Sequence, residues 1–465
     1  MASSAQSKTI LMLDAAMIRK FAGGLNGHLV LPGDDVYESA RRVWNWAVDV
    51  RPGMIVRCAN RDDVIRAVDF ARSNDLVVAV RAGGHSYAGH STCNGGIVID
   101  LSLMKAIRID NHKLIAHVQA GVTNGEFDAR TQSFGLAAPL GACPATGIAG
   151  LTLGGGLGWL SAKHGASCDN LLAVEIVMAD GSINHANTNQ EPDLFWGVRG
   201  GTGNFGIVTD FSYRLHPITQ AWGGMRVYPL SQGREVLRFF REFTAAAPDE
   251  LSTQAGIVPL PDEPAFGIMV CYAGDIRAGE RILKPLRSFG QPVSDSIRPM
   301  GLLEVQSSHA DVPALEQVCF HQKSGFLREL TDAAIDVIIE KLAEAPSPLC
   351  GSTLWHHHGA VCRIAPQKTA FNFREVGYYF WTQTFWQGPS GRDSSIEWVN
   401  RSWDSLRPFF SPGLYINQIG EEGEERIRAA YGGNYARLVA LKNKYDPTNF
   451  FRLNQNIKPT ERMLR

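Results

Sequence analysis

The chain has 465 residues, with 45 Lys and Arg against 46 Asp and Glu, a formal net charge of −1. That balance removes any electrostatic argument for nucleic acid or a membrane surface as a partner, and no apolar run is long enough to span a bilayer. Hydrophobic residues at 45% and charged residues at 20% describe an ordinary globular protein, and the length predicts two or three domains.

The opening stretch, MASSAQSKTILMLDAAMIRKF, holds one Lys at position 8 and a short apolar patch cut by Asp14. No small-residue cleavage site follows, so a cytoplasmic location is expected. Val36 to Val48 is an amphipathic stretch in a region of helix and loop. Asn60 predicts the cap of a helix over 61–73, where Val64, Ile65, Val68 and Ala71 recur at helical spacing. Leu76 to Val80 is an apolar strand, followed by the loop RAGGHSYAGH and a strand at Ile97 to Leu101. Leu114 to Ala120 reads as a strand, and Thr123 with Glu126 stands at capping-box spacing.

Glycine is dense between Gly141 and Gly158 (GACPATGIAGLTLGGGLG), which predicts backbone packed closely against something else or a run of tight turns. Ala173 to Ala179 forms a strand ending at Asp180-Gly181. Ile207, Thr209, Phe211, Tyr213 and Leu215 share one face of a strand that Pro217 ends. Glycine thins out after about residue 218. Helices are expected at 279–289 and 331–343, aromatic and histidine-rich strands between 352 and 387, and one helical stretch from Glu424 to Lys444. The eight cysteines are scattered and form no C-x-x-C pair, which excludes a zinc ribbon and a dithiol motif and suits a reducing compartment. His85 and His90 have no third ligand nearby, so no metal is expected.

Two glycine patterns invite a dinucleotide. Gly201-Thr202-Gly203-Asn204-Phe205-Gly206 matches G-x-G-x-x-G, but a strand follows where a Rossmann turn needs a helix, so that reading fails. Arg81-Ala82-Gly83-Gly84-His85-Ser86 is the better phosphate cradle. It follows an apolar strand, and its glycines let successive N–H groups converge on an anion. Gly150 to Gly158 is a second candidate cradle; the bland alternative for both is a pair of tight turns.

Five blocks now appear in order: RAGGHSYAGH (81–90), CPATG (143–147), LGGGLGW (153–159), DLFWGVRGGTGNFG (193–206) and KYDPTNFFRLNQNIKP (444–459). Together they resemble the berberine-bridge-enzyme-like branch of the vanillyl-alcohol-oxidase, or PCMH-type, FAD-binding proteins, over nearly the whole chain. The resemblance is strongest in 51–217 and 415–459, and residues 218–350 carry little of it. It implies FAD tethered twice, by His85 to the flavin 8α-methyl group and by Cys143 to flavin C6. It implies cofactor contacts from Arg81, Gly83, Gly84 and Ser86, from Gly147, Gly150, Gly154, Gly155 and Gly158, from Asn204, Gly206 and Val208, and from Asn454 and Asn456. Ala82 departs from the usual residue before the glycine pair, and His358-Gly359 stands where relatives often carry two glycines.

The chemistry implied is hydride transfer from a hydroxyl-bearing small molecule to flavin N5, with dioxygen as acceptor and hydrogen peroxide as product. A general base is then needed within reach of the hydroxyl. Tyr415, with Asn417 two residues on in LYINQIG, matches the family's Tyr-x-Asn, and both are expected to face one side of a strand. A free tyrosine has a pKa of about 10, so neighbours must depress it for work near neutral pH. A core tyrosine with its hydroxyl tied to backbone is the alternative. His358, in WHHHG, is placed at the pocket or in a bland core role. Tyr379, Trp381, Gln383 and Phe385 alternate onto one face and suggest an aromatic or sugar-stacking cavity, or an ordinary half-buried sheet.

The expected fold is α+β in two parts. Residues 1–217 with 420–465 form the FAD domain, and 218–419 a substrate domain of antiparallel sheet backed by helices. Dehydrogenases with another acceptor, oxidative-cyclisation enzymes and a silent flavin-binding protein remain open, as do the substrate and the oligomer.

Overall fold

The computed structural model describes residues 13–258, 264–307, 317–388 and 390–460. Its first sheet is small and mixed: His28–Val30, Met54–Arg57, Ile97–Asp100 and Val78–Arg81, in that spatial order, with the last three mutually parallel. Asn60 caps the helix Arg61–Ser73 as expected, its side chain accepting from the Asp63 amide at 3.1 Å. That helix buries Val64, Ala67, Val68 and Ala71 on the sheet.

A second, antiparallel sheet runs Ile107–Asp110, Ile115–Gln119, Ile207–Arg214, Leu171–Val177 and Ile183–Asn187. Between its strands, Thr123 and Glu126 form the reciprocal capping box on Asn124–Gln132. Both sheets share one apolar core. Leu414, Ile416, Ile419, Tyr431, Leu438, Leu441, Phe451 and Ile457 from the end of the chain are buried in it.

The third sheet has eight strands, all paired antiparallel. Its middle strands Ala265–Tyr272, Leu251–Val258, Cys350–His357 and Gly377–Trp386 carry two different faces. Tyr378, Phe380, Leu354 and Ile268 bury against helices Gly233–Ala245, Ile276–Ser288, Asp332–Ala343 and Arg392–Leu406. The alternate residues Tyr379, Trp381, Gln383 and Phe385 turn to a cavity instead. The period-two pattern of strands sorts the two sets.

Three local expectations give way to tertiary contacts. The stretch 36–48 is helical only over Tyr37–Ala40. Beyond it Asn45 exchanges two hydrogen bonds with the Phe320 backbone, and the Trp44 amide donates to Gly84. The helix expected over 424–444 is two helices, Glu424–Tyr431 and Tyr435–Tyr445, broken where Gly432 takes a positive φ and Asn434 bonds Pro366, Thr369 and Ala370 carbonyls. Tyr415 and Asn417 lie on no strand: Ile416–Gln418 is a single 3-10 turn.

Candidate active site

A cavity of about 990 Å³ lies between the glycine loops and the open face of the eight-stranded sheet. It stands at the upper end of the roughly 300–1,000 Å³ range of ligand sites. Among the described residues that line it there is no Asp, Glu, Lys or Arg.

One end is built by two loops that cross. Gly83 and Gly147 approach so closely that a Cβ on either would collide with the other's amide nitrogen. The crossing sets the His85 Nε2 atom 3.8 Å from the Cys143 sulfur, both on the cavity wall. The His85 ring stacks on Trp44, centroids 4.2 Å apart, and burial lowers its pKa to about 4, so the imidazole is neutral. The amides of Gly84, His85 and Ser86 donate to no other group among the described residues, and Gly84 has φ +67°. Unclaimed N–H groups on successive residues can form an anion seat without a side-chain cation.

Several expected cofactor residues lie on the cavity wall: Gly83, Gly84, Ser86, Gly147, Gly150, Gly206, Val208 and Asn454. A methyl group at Gly150 or at Gly203 would meet nothing within 4 Å. The Asn454 amide nitrogen donates to Gly203 and Phe451 carbonyls, while its oxygen is buried without a partner among the described residues. The remaining positions sit behind the wall. The Arg81 guanidinium is spent on Asp100 at 2.7 Å and the Arg42 carbonyl. Asn204 bonds Gly201, Thr202 and Gln455 through its nitrogen and the Ile457 amide through its oxygen. Asn456 lies off the wall, its side-chain oxygen buried and unpartnered among the described residues.

Gly154, Gly155 and Gly158 also leave the wall, so that among the glycines of the second expected cradle Gly150 is the one that faces the cavity. They are small because Asn417, Phe371 and the Leu140 carbonyl occupy the space a Cβ would need. This backbone packing surrounds Tyr415, which faces the cavity. The Tyr415 oxygen accepts from the Leu157 amide at 3.1 Å and from Asn417 Nδ2 at 3.0 Å. Its ring is boxed by Phe371, Phe373 and Tyr379, with centroids 6.0, 6.2 and 5.9 Å away. Burial pushes its pKa up to about 12, while Asn417 and the Leu157 amide pull the other way by stabilising the phenolate.

His358 does not reach the cavity. Its Nε2 lies 3.3 Å from the Pro248 carbonyl, its ring stacks on His356, and all three histidines of the run are held neutral by burial. The aromatic face does reach it, as Tyr379, Trp381, Gln383 and Phe385, joined by Trp355, Met225, Met269 and Gln254. The Gln254 amide nitrogen is buried without a partner among the described residues. Tyr379 donates to Gln418 Oε1 at 2.6 Å.

Trp44, Tyr87, Gln254 and Gln418 escape sequence reasoning. Tyr87 alone had a signal, two residues past His85 in the loop; Trp44 meets His85 only through the tertiary fold. Two uncommitted edges therefore face each other: a seat of amides with a neutral histidine and a thiol, and an aromatic wall ending at a hydrogen-bonded phenol. A flavin dinucleotide fits this donor set, since backbone amides suit its pyrophosphate and the neutral pocket suits its ring.

Residues 52–187 match the family described as FAD binding domain, and residues 414–458 the family described as Berberine and berberine like. An FAD-linked oxidoreductase of Dictyostelium discoideum is 31% identical over 450 residues, 96% of this chain and 97% of that one. The (R)-6-hydroxynicotine oxidase of Paenarthrobacter nicotinovorans is 30% identical, over 94% of this chain and 97% of its own. The crystal structure of 6-hydroxy-D-nicotine oxidase from Arthrobacter nicotinovorans superposes with a TM-score of 0.87 at 28% identity, covering 94% of this chain and 98% of that chain. Identity carried along nearly the whole length, on a chain whose own loops suit a flavin dinucleotide, makes this protein a member of the berberine-bridge-like family of FAD-linked oxidoreductases.

Proposed function

We propose that the protein is an oxidase whose FAD is bonded to both His85 and Cys143, and that Tyr415 takes the proton from a substrate hydroxyl. The observation that carries the tether is the 3.8 Å approach of two reactive side chains 58 positions apart on the cavity wall. Side chains that close can reach the 8α-methyl group and C6 of a single isoalloxazine ring, two sites separated by C7. A neutral imidazole is the form able to bond carbon, and burial keeps His85 in it. When bound, FAD would supply the acceptor for the substrate hydride, and with dioxygen as the final acceptor that hydride and the hydroxyl proton would together account for the two hydrogens of hydrogen peroxide.

The chain's own residues supply the rest. Gly84, His85 and Ser86 amides hold the pyrophosphate. Tyr415 withdraws the hydroxyl proton, and the Leu157 and Asn417 donors stabilise the phenolate that does so. Trp355, Tyr379 and Trp381 clasp the substrate body, and Gln254 offers a donor to an oxygen on it. A wall without charged side chains favours an uncharged alcohol, phenol or sugar, because a buried unpaired charge is costly. The division of labour assigns residues 1–217 and 420–465 to the cofactor and 218–419 to the substrate.

The tether is tested by acid denaturation of the purified yellow protein. Colour is expected to stay with the polypeptide in wild type, His85→Ala and Cys143→Ala, and to leave it in the double variant. Free FAD released by the wild type overturns the assignment. Oxygen uptake on cellobiose and 4-hydroxybenzyl alcohol, with peroxide measured against quinone reduction, tests the acceptor; quinone reduction without peroxide makes the protein a dehydrogenase.

A further inference from the structure

Asp169 and Arg374 form a forked ion pair at 2.7 and 2.8 Å, with side-chain exposures of 6% and 2%. Every N–H of the guanidinium is used: two on Asp169, one each on the Val361 carbonyl, the Thr369 hydroxyl and the Phe371 carbonyl. None points to the cavity, and neither residue lines it. A pair this deeply buried gains little net stability over apolar side chains of the same size, so what it holds in place is the informative part.

It holds both sides of the Tyr415 box. On one side, Asp169 ends the turn Ser167–Asp169. The Ser167 amide of that turn donates to the Gly156 carbonyl at 2.9 Å, and the Cys168 amide to the Gly155 carbonyl at 2.8 Å. The Gly156 carbonyl and the Leu157 amide belong to one planar peptide group and point in opposite directions. Ser167 therefore grips one end of the plate whose other end donates to Tyr415. Fixing the carbonyl aims the N–H, and polarising it strengthens the N–H as a donor. On the other side, Arg374 bonds the Phe371 carbonyl and lies over the Phe371 ring at 4.6 Å. That ring covers Gly155 and meets Tyr415 edge-on at 81°.

We infer that the Asp169–Arg374 pair is a positioning device for Tyr415, which keeps the Leu157 amide aimed at the phenol oxygen and so sets how readily that oxygen exchanges a proton. The inference rests on the proposed role of Tyr415 as base. Without the pair the oxygen keeps Asn417 as its side-chain donor but loses a firmly aimed Leu157 amide, and the phenolate becomes harder to form. The other titratable groups facing Tyr415 are Cys168 from the turn, Tyr379 from the sheet and Tyr87 from the His85 loop, all pushed to the neutral side by burial. The charges beside Cys168 are Asp169, Arg374 and Arg199.

The test uses flavin-loaded protein carrying 13Cζ-labelled tyrosine, with Tyr415 assigned from the signal lost in Tyr415→Phe. Two variants are compared with wild type: Asp169→Asn, and the double replacement Asp169→Leu with Arg374→Met, which removes both charges together. The expected result is a Tyr415 signal that keeps its neutral-phenol position to higher pH than in wild type in both, with flavin content and melting of the double variant near wild type. An unshifted pH response overturns the inference. So does loss of flavin or of cooperative melting in the double variant, because the pair then supports the fold rather than the phenol. Oxygen uptake on cellobiose and 4-hydroxybenzyl alcohol separates the two readings. Full activity in Tyr415→Phe sinks the base assignment itself. An inactive Tyr415→Phe beside unshifted pair variants sinks the positioning role alone.

Discussion

Gly83 and Gly147 touch backbone to backbone, and that crossing brings the His85 and Cys143 loops to one point of the cavity. No side chain bigger than hydrogen fits at either position without moving main chain. Gly83→Ala and Gly147→Ala should each lower stability by about 2–3 kcal/mol, the cost of a steric conflict in a packed interior. The same shift should separate imidazole from thiol. Protein-bound colour after acid treatment should fall in both variants, and full retention would contradict the arrangement.

Asn417 donates to Tyr415 and to the Leu151 carbonyl at once, so its carboxamide cannot turn away. Removing one hydrogen bond to a charged oxygen costs about 1.5–3 kcal/mol. Asn417→Ala should therefore slow turnover at pH 7 by roughly 10- to 100-fold, with a smaller loss at high pH, where the phenolate forms unaided. Stopped-flow reduction rates across pH check this; a loss of equal size at every pH would point to lost substrate binding.

The sign for the wild type follows from burial. Burial pushes the Tyr415 phenol up to about 12, and the proposed base is its deprotonated form. The ionised fraction rises tenfold per pH unit below the midpoint. The second-order rate of substrate oxidation should climb from pH 6 towards pH 9, and Tyr415→Phe should flatten that slope. A rate that falls with pH would need a different base.

Asp128 offers a stability test away from the chemistry. It is buried in the helix Asn124–Gln132 against helix Leu302–Ser307, where Gln306 donates to it at 2.7 Å. Burial raises its pKa to about 7, against a partial lowering by Gln306. The unfolded value is about 3.9, so the folded state binds the proton more tightly. The resulting stability is full below pH 4 and drains away as pH rises through 7. Asp128→Asn should melt higher than wild type at pH 8.5, on the order of 1–2 kcal/mol, with the gap closing towards pH 5. Parallel melting curves at both pH values would contradict the assignment.

The uncharged wall predicts discrimination by charge. Converting a neutral substrate into an analogue with a carboxylate should cut the specificity constant by about 100-fold or more, since no Lys or Arg lines the described wall to pair with it. Gln254→Leu should raise KM for oxygen-bearing substrates and leave kcat nearly unchanged. Steady-state kinetics on matched pairs of compounds decides both.

What the sequence disclosed and what it hid divide by distance along the chain. Asn60 over Asp63, the Thr123–Glu126 box and the alternation from Tyr378 to Phe385 are local patterns, and local rules found them. The family blocks pointed to His85 and Cys143, and the Tyr-x-Asn match to Tyr415, because each sits in a short run with its own spacing; all three line the one cavity. The Asp169–Arg374 pair spans 205 positions, and Trp44 reaches His85 only after the stretch beyond Ala40 abandons its helix. The density of glycines from 154 to 158 announced close backbone packing, and their neighbours Asn417, Phe371, Ser167 and the Leu140 carbonyl come from distant parts of the chain that no local rule names.

Leu453, Asn454 and Gln455 close the cavity from the far end of the chain, and Lys442, bonded to Asp446 and to the Asn204 and Phe451 carbonyls, fastens that closure. On a ribosome, the loop of Cys143 emerges about 300 residues before this last wall. At roughly 5–20 residues per second, the delay is about 15–60 s. Through that interval the nascent polypeptide carries the His85 and Cys143 loops without the wall that Leu453, Asn454 and Gln455 supply.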